Sequence, residues 1–168
     1  MLTAERAREL LHYDPETGVF TWRVRVSSRK LAGSVAGGFF ATVRYRRITV
    51  DRKTYREHRL AWLYSYGRFP EQDLDHIDCD PSNNRLANLR EADKSQNQWN
   101  SPRQKNNSSG VRGVYWYMPR NCWRAVLSVR GKSLNLGNFA DMGRAVSARK
   151  KAEARYHGEF APIRETKV

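Results

Sequence analysis

The chain is short of the features that would make it disulfide-built, secreted or membrane-spanning. Only two of its 168 residues are cysteines, Cys79 and Cys122, far apart and in unrelated settings. That argues against a disulfide framework and a four-cysteine zinc site, and fits a reducing, cytoplasmic setting. No apolar run approaches the roughly 18 residues that span a bilayer. The opening Met1-Leu2-Thr3-Ala4-Glu5-Arg6 lacks the apolar core of a secretion signal. Acidic residues are scarce too, 17 against 31 lysines and arginines, which leaves a net charge of +14. A surplus that large speaks about partners rather than fold, and without a membrane span it points to nucleic acid.

The charge is unevenly spread. Residues 1–97 carry 17 basic and 13 acidic residues, net +4, and residues 98–168 carry 14 and 4, net +10. Acidic residues gather at Asp73, Asp75, Asp78 and Asp80. The length suits one compact domain or two small ones. One half looks built for chemistry, the other for gripping phosphate.

Ala7, Leu10 and Leu11 predict a short helix over residues 4–12. Asp14-Pro15-Glu16-Thr17-Gly18 reads as a turn into a strand over 19–24. A strand over 40–50, a turn at 51–54 and a return strand from Tyr55 come next, then a helix over 57–66 stopped by Gly67. A two-stranded turn starts at residues 74–77. Asp93 and Gln96 have capping-box spacing and open the helix that carries Asn97. Residues 101–109 are polar and read as a linker. Three aromatic-rich strands are expected at 111–117, 123–129 and 133–139, with a tight turn at Arg130-Gly131-Lys132. Asp141 caps a helix with Ala145, Ala148, Ala152 and Tyr156 along one side, and Gly158 ends it.

The most informative residues are Asp75-His76, followed by Asn97 twenty-one positions after the histidine. A hard divalent cation prefers oxygen ligands, and water attacking a phosphodiester needs a base near neutral pH. Asp75 and Asn97 can supply the oxygens and His76 the base. Neighbours on a strand point to opposite faces, so Asp75 and His76 can flank one phosphate only where the strand ends or distorts. His58 is expected to be structural, and His12 and His157 to lie at the surface.

The string His58-Arg59-Leu60-Ala61-Trp62, Asp75-His76-Ile77-Asp78, Asn83-Asn84-Arg85-Leu86-Ala87-Asn88-Leu89-Arg90 and Ser95-Gln96-Asn97 resembles the HNH nucleases of bacteriophage homing-endonuclease type. The likeness covers roughly residues 5–100. It implies a two-stranded ribbon and a helix clamped round one metal ion, in a phage-infected host. Asp75 and Asn97 would be the ligands, His76 the general base, and Asn88 the residue that holds the loop orienting it. The family often has histidine at the first and last positions. Aspartate and asparagine here favour Mg2+ or Mn2+ over zinc or nickel. The expected products are a 5′ phosphate and a 3′ hydroxyl.

Gly110-Val111-Arg112-Gly113-Val114, Trp123-Arg124-Ala125 and Leu136-Gly137-Asn138-Phe139, followed by an alanine-lined helix, resemble the DNA-binding domain of plant ethylene-response factors. That likeness implies a three-stranded sheet backed by one helix, with its outer face on the duplex. Strand alternation then puts Val114, Trp116, Trp123, Ala125, Leu127, Leu134 and Leu136 against the helix. Arg112, Tyr115, Tyr117, Arg124, Ser128, Arg130, Ser133 and Asn135 would face DNA. Arg44, Arg46, Arg47, Arg52 and Lys53 form a second basic element.

The expected fold is α+β. It comprises a ββα-metal nuclease domain over 1–100 with an N-terminal β-hairpin region, a linker over 101–109, a small three-stranded antiparallel sheet plus helix over 110–161, and a tail over 162–168. The expected activity is that of a metal-dependent DNA endonuclease, acting on double-stranded DNA as a monomer or weak homodimer. The alternatives are a DNA-binding regulator keeping a relic HNH fold and a structural RNA-binding protein.

Overall fold

The computed structural model describes residues 1–39, 45–100, 107 and 109–161. It is a mixed helix-and-sheet protein with small antiparallel sheets, and it divides into two compact units, Met1–Ala92 and one beginning at Asp93. The expected linker lies mainly outside the described residues.

In the first unit, α1 (Ala4–Leu10) starts at Thr3, whose hydroxyl accepts the Arg6 N–H, and stops sooner than its apolar spacing suggests. Leu11 instead opens β1 (Leu11–Asp14), a strand that the helical reading of 4–12 misses. It pairs with β2 (Val19–Trp22) in register Leu11↔Trp22 and Tyr13↔Phe20. These four residues are all buried, and burying them together is what a helix continued through Tyr13 would forgo. The next hairpin, β3 (Arg47–Val50) and β4 (Lys53–Arg56), turns on Asp51 and Arg52 alone, both left-handed at φ 45° and 64°. Lys53 and Thr54, expected in the turn, therefore belong to the strand. Of the strand expected over 40–50, residues 40–44 lie outside the described residues.

Helix α2 (Glu57–Tyr66) buries Leu60, Ala61 and Leu63 and ends at Gly67, left-handed at φ 76°. The β5 (Asp73–His76) and β6 (Leu89–Ala92) ribbon pairs Asp75 with Arg90 and His76 with Leu89. One apolar core, including Leu11, Phe20, Trp22, Ile48, Leu60, Leu63, Leu74 and Leu89, gathers all these elements.

The second unit opens with α3 (Lys94–Trp99), and the capping box is present as expected: Asp93 accepts the Gln96 N–H, and the Gln96 side chain accepts the Asp93 N–H. Strands β7 (Val114–Tyr117), β8 (Cys122–Val129) and β9 (Lys132–Phe139) form one antiparallel sheet in that order. Arg130 and Gly131 make its tight turn, at φ 47° and 77°. Helix α4 (Met142–His157), capped by Asp141, packs Ala145 against Val114 and Ala125.

Three expectations fail in this unit. Trp116 and Leu134 are exposed rather than packed on the helix. Trp116 sits cross-strand from Trp123 and meets it edge-on at 5.4 Å, so it spends its apolar surface on the neighbouring ring. Leu134 lies near the hairpin end of β9, beyond a break in register at Ala125/Val126. His157 is buried, not superficial. Its ring stacks on Trp99 at 4.2 Å, and its Nε2 lies 3.1 Å from the Ser128 carbonyl oxygen.

Candidate active site

The site is built on the β5–β6 ribbon and the first turn of α2. Leu74 and Leu89 anchor the ribbon in the core, and α2 is held by Leu60, Ala61 and Leu63. The polar groups between them are buried as well: Glu57 at 1%, His58 at 3%, Asp75 at 7%, His76 at 5% and Asn84 at 1% exposure. Five polar groups hidden together need mutual partners, because water is not there to serve them.

Asp75 and His76 find different partners. Across the ribbon Arg90 donates twice to one Asp75 oxygen, through Nε at 3.0 Å and Nη2 at 2.8 Å. His76, the last residue of β5, turns its ring toward Asn84, with Nε2 3.0 Å from Oδ1. Asn84 donates through Nδ2 to Glu57 Oε2 at 3.1 Å, and Arg46 Nε donates to the same oxygen at 2.5 Å. The rings of Tyr45 and His58 close round the imidazole. His58 meets His76 edge-on at 5.2 Å, and Tyr45 stacks over it at 6.1 Å.

This burial shifts the titrations. His58 is pushed down to about 3 by burial, helped by its neighbours His76, Arg56 and Arg59, and is therefore neutral. Burial raises the Glu57 carboxyl above the ordinary range despite the opposing pull of Arg46 and Asn84.

The loop after β5 is a tight polar knot. Asp78 accepts the Asp80 N–H at 2.8 Å, Asn83 Nδ2 at 2.6 Å and Asn88 Nδ2 at 3.0 Å. Burial works to raise the Asp78 carboxyl, but these hydrogen bonds outweigh it and hold it below its usual range. Asn88 also donates to the Asn83 carbonyl at 2.8 Å, while its own side-chain oxygen accepts the Asp78 N–H at 3.1 Å. The N-terminal hairpin backs the same loop. The Tyr13 hydroxyl donates to the Asn84 carbonyl at 2.7 Å. Gly18, left-handed at φ 74°, lies so close that a Cβ there would sit 2.5 Å from the Asn84–Arg85 peptide.

Residues 55–99, the stretch that holds the ribbon, the knot and α2, match the HNH endonuclease family. Protein 3.8 of Escherichia phage T7 is 34% identical over 113 residues, covering 67% of this chain and 93% of that protein. The chain belongs to the family of that phage protein, and its residues 55–99 are an HNH endonuclease domain. No solved structure gives a significant match.

The HNH domain includes Asp75, His76, Asn88 and Asn97. The first three stand in the first unit as described. Asn97 is half-buried on α3 of the second unit, its N–H bonded to the Asp93 carbonyl at 2.9 Å. Among the described residues no three His, Cys, Asp or Glu side chains gather as a metal cage. Glu57, Asn84 and Arg90 received no role from sequence. Asn84 and Arg90 belong to the HNH-like string, but nothing in their spacing says that one meets His76 and the other Asp75. Glu57 reads as an ordinary first-turn acid complementing the α2 N-terminus.

The expected DNA-contact residues fall into two groups. Arg46 is committed to Glu57, and Arg112 donates to the Gln98 and Trp99 carbonyls at 2.6 and 3.1 Å, so it braces the end of α3. Arg47 is half-buried, Lys53 is exposed, and Arg44 lies outside the described residues. On the sheet, the Arg124 guanidinium lies over the Tyr117 ring at 3.4 Å and bonds to Asn138, with Tyr115 exposed beside it. The Asn135 side chain accepts the Gly137 N–H at 3.1 Å, and Arg130 sits in the hairpin turn.

Proposed function

We propose that the protein is a divalent-metal-dependent DNA endonuclease of homing type that hydrolyses a phosphodiester bond. The observation that carries this is the Asp75-His76 pair at the end of an HNH ribbon, with each side chain buried and held by its own partner. Asp75 and Asn97 would hold the ion, Asn97 being taken from the sequence pattern. The donor set fits a hard cation: one carboxylate and one amide suffice when water and phosphate complete the shell, as Mg2+ or Mn2+ allows. Asp75 already keeps a cationic group, Arg90, against its oxygen. When bound, the ion supplies charge neutralisation at the phosphate and the departing 3′ oxygen.

The chain's own part is proton transfer and binding. His76 takes the proton from the attacking water, worth about 10²–10⁴ in rate, and the products carry a 5′ phosphate and a 3′ hydroxyl. Asn88 keeps the loop from Ile77 onward in one shape. The second unit supplies the grip on duplex DNA through the Tyr115, Tyr117 and Arg124 face, with arginine suited to guanine and to phosphate alike.

Relaxation of supercoiled plasmid tests the proposal. Cutting should require Mg2+ or Mn2+ and stop in excess chelator, and His76→Ala should lose about 10²–10⁴ in rate while DNA affinity stays within a few-fold. Cleavage that persists in chelator would refute the metal role. A second reading, a DNA-binding regulator that retains the fold without cutting, is favoured by the guanidinium seated on Asp75. It predicts tight DNA binding and no cleavage with any divalent ion.

A further inference from the structure

We propose that Glu57 and Asn84 are positioning residues that hold the His76 ring as its Nε2–H tautomer and so make Nδ1 the nitrogen that receives the proton. This rests on the proposed role of His76 as base. The chain of hydrogen bonds runs inward from the carboxylate. Glu57 Oε2 receives two N–H donors, Arg46 Nε at 2.5 Å and Asn84 Nδ2 at 3.1 Å. An oxygen that accepts twice is not itself the donor, so any proton that the buried carboxyl takes up must ride on Oε1. The Asn84 amide is then oriented: its NH2 faces Glu57, and its oxygen faces His76.

An amide oxygen only accepts, so the His76 nitrogen 3.0 Å away must be the one that carries hydrogen. The opposite amide orientation would set two acceptor oxygens face to face at about 1% exposure, where no water relieves them. The backbone leaves Asn84 little room to evade the constraint. Tyr13 holds its carbonyl and Gly18 presses on its peptide. The neutral, buried His58 adds a second wall, edge-on to the ring. The two histidine nitrogens are chemically distinct, and the hydrogen bond made by one sets the task of the other.

The test reads the tautomer directly. Long-range proton–nitrogen correlation spectra of the full-length protein in mildly alkaline buffer, free of metal and DNA, should show His76 as the Nε2–H form. Asn84→Leu, of similar size but without an acceptor, should give a mixture of tautomers. Its kcat should fall about tenfold or more, within the roughly 10²–10⁴ that the base contributes, with KM and DNA affinity within a few-fold.

A native spectrum showing Nδ1–H, or an unchanged Nε2–H signal in Asn84→Leu, overturns the proposal. The native spectrum alone decides the first point, so the idea stays exposed even where a variant does not fold. If the tautomer follows Asn84 but His76→Ala cuts DNA at the full rate, the relay stands and the nuclease assignment of His76 falls.

Discussion

Arg90 places two N–H groups on one oxygen of Asp75 across the β5–β6 ribbon, and both side chains are largely hidden from solvent. A carboxylate taken out of water needs such a partner, and removing one member of a buried pair leaves the other uncompensated. Arg90→Ala should therefore lower stability by about 3–5 kcal/mol, read from urea unfolding of the full chain. Asp75→Asn should cost less stability than Arg90→Ala, because the guanidinium can turn to the amide oxygen. It should nevertheless abolish metal-dependent cutting. A variant Arg90→Ala as stable as the native protein would show that the pair is idle.

His58 gives a pH signature with a definite sign. Its folded-state pKa, about 3, lies below the 6.5 of a free imidazole because burial penalises the charged form. In the window between those values the unfolded chain binds a proton that the folded chain refuses, so stability falls as pH drops. Between pH 7 and pH 5 the loss should be about 2 kcal/mol from this residue alone. His58→Gln should flatten that part of the profile. Equal slopes for the two proteins would mean the ring is not held neutral.

Asn88 ties together Asp78 and Asn83 through three side-chain hydrogen bonds. Asn88→Ala removes all three and leaves the Asp78 N–H without its acceptor. A cost of about 1–3 kcal/mol and faster amide hydrogen exchange across residues 77–85 are expected, with turnover falling more than DNA affinity. Unaltered exchange in that loop would count against the role assigned to Asn88.

On the sheet of the second unit, Arg124 and Tyr115 should separate charge from contact. If Arg124 meets a phosphate, Arg124→Ala should weaken DNA binding and reduce the logarithmic salt slope by about 0.9. Tyr115→Ala should weaken binding with the slope unchanged. Both variants binding as the native protein does would place the DNA elsewhere.

Periodic features were legible in the sequence; isolated ones were not. The capping box at Asp93, the α2 stop at Gly67 and the Arg130-Gly131 turn all follow local rules that tertiary packing leaves alone. The boundary at Leu11 is hidden in the sequence because Ala7, Leu10 and Leu11 satisfy a helical period, while the alternation that makes β1 a strand becomes visible only once Phe20 and Trp22 are seen opposite. Glu57 and Asn84 were opaque for a different reason. Each is a single polar residue, the partners of its side chain lie up to 27 residues away, and no spacing rule links a helix start to a loop asparagine. Strand alternation puts Arg112 on the DNA-facing side, and only the fold shows it bonded to the carbonyls ending α3.

The turn at Gly18 and the Tyr13 hydroxyl lie well outside the stretch that matches the HNH family, which begins at residue 55. A fragment trimmed to that boundary would retain every motif letter yet lose the buttress behind Asn84. The leading hairpin thus supports the proposed catalytic histidine from outside that stretch, though it contributes no reactive group. Exchanging that hairpin between homologues offers a way to retune the histidine without altering one letter of the signature.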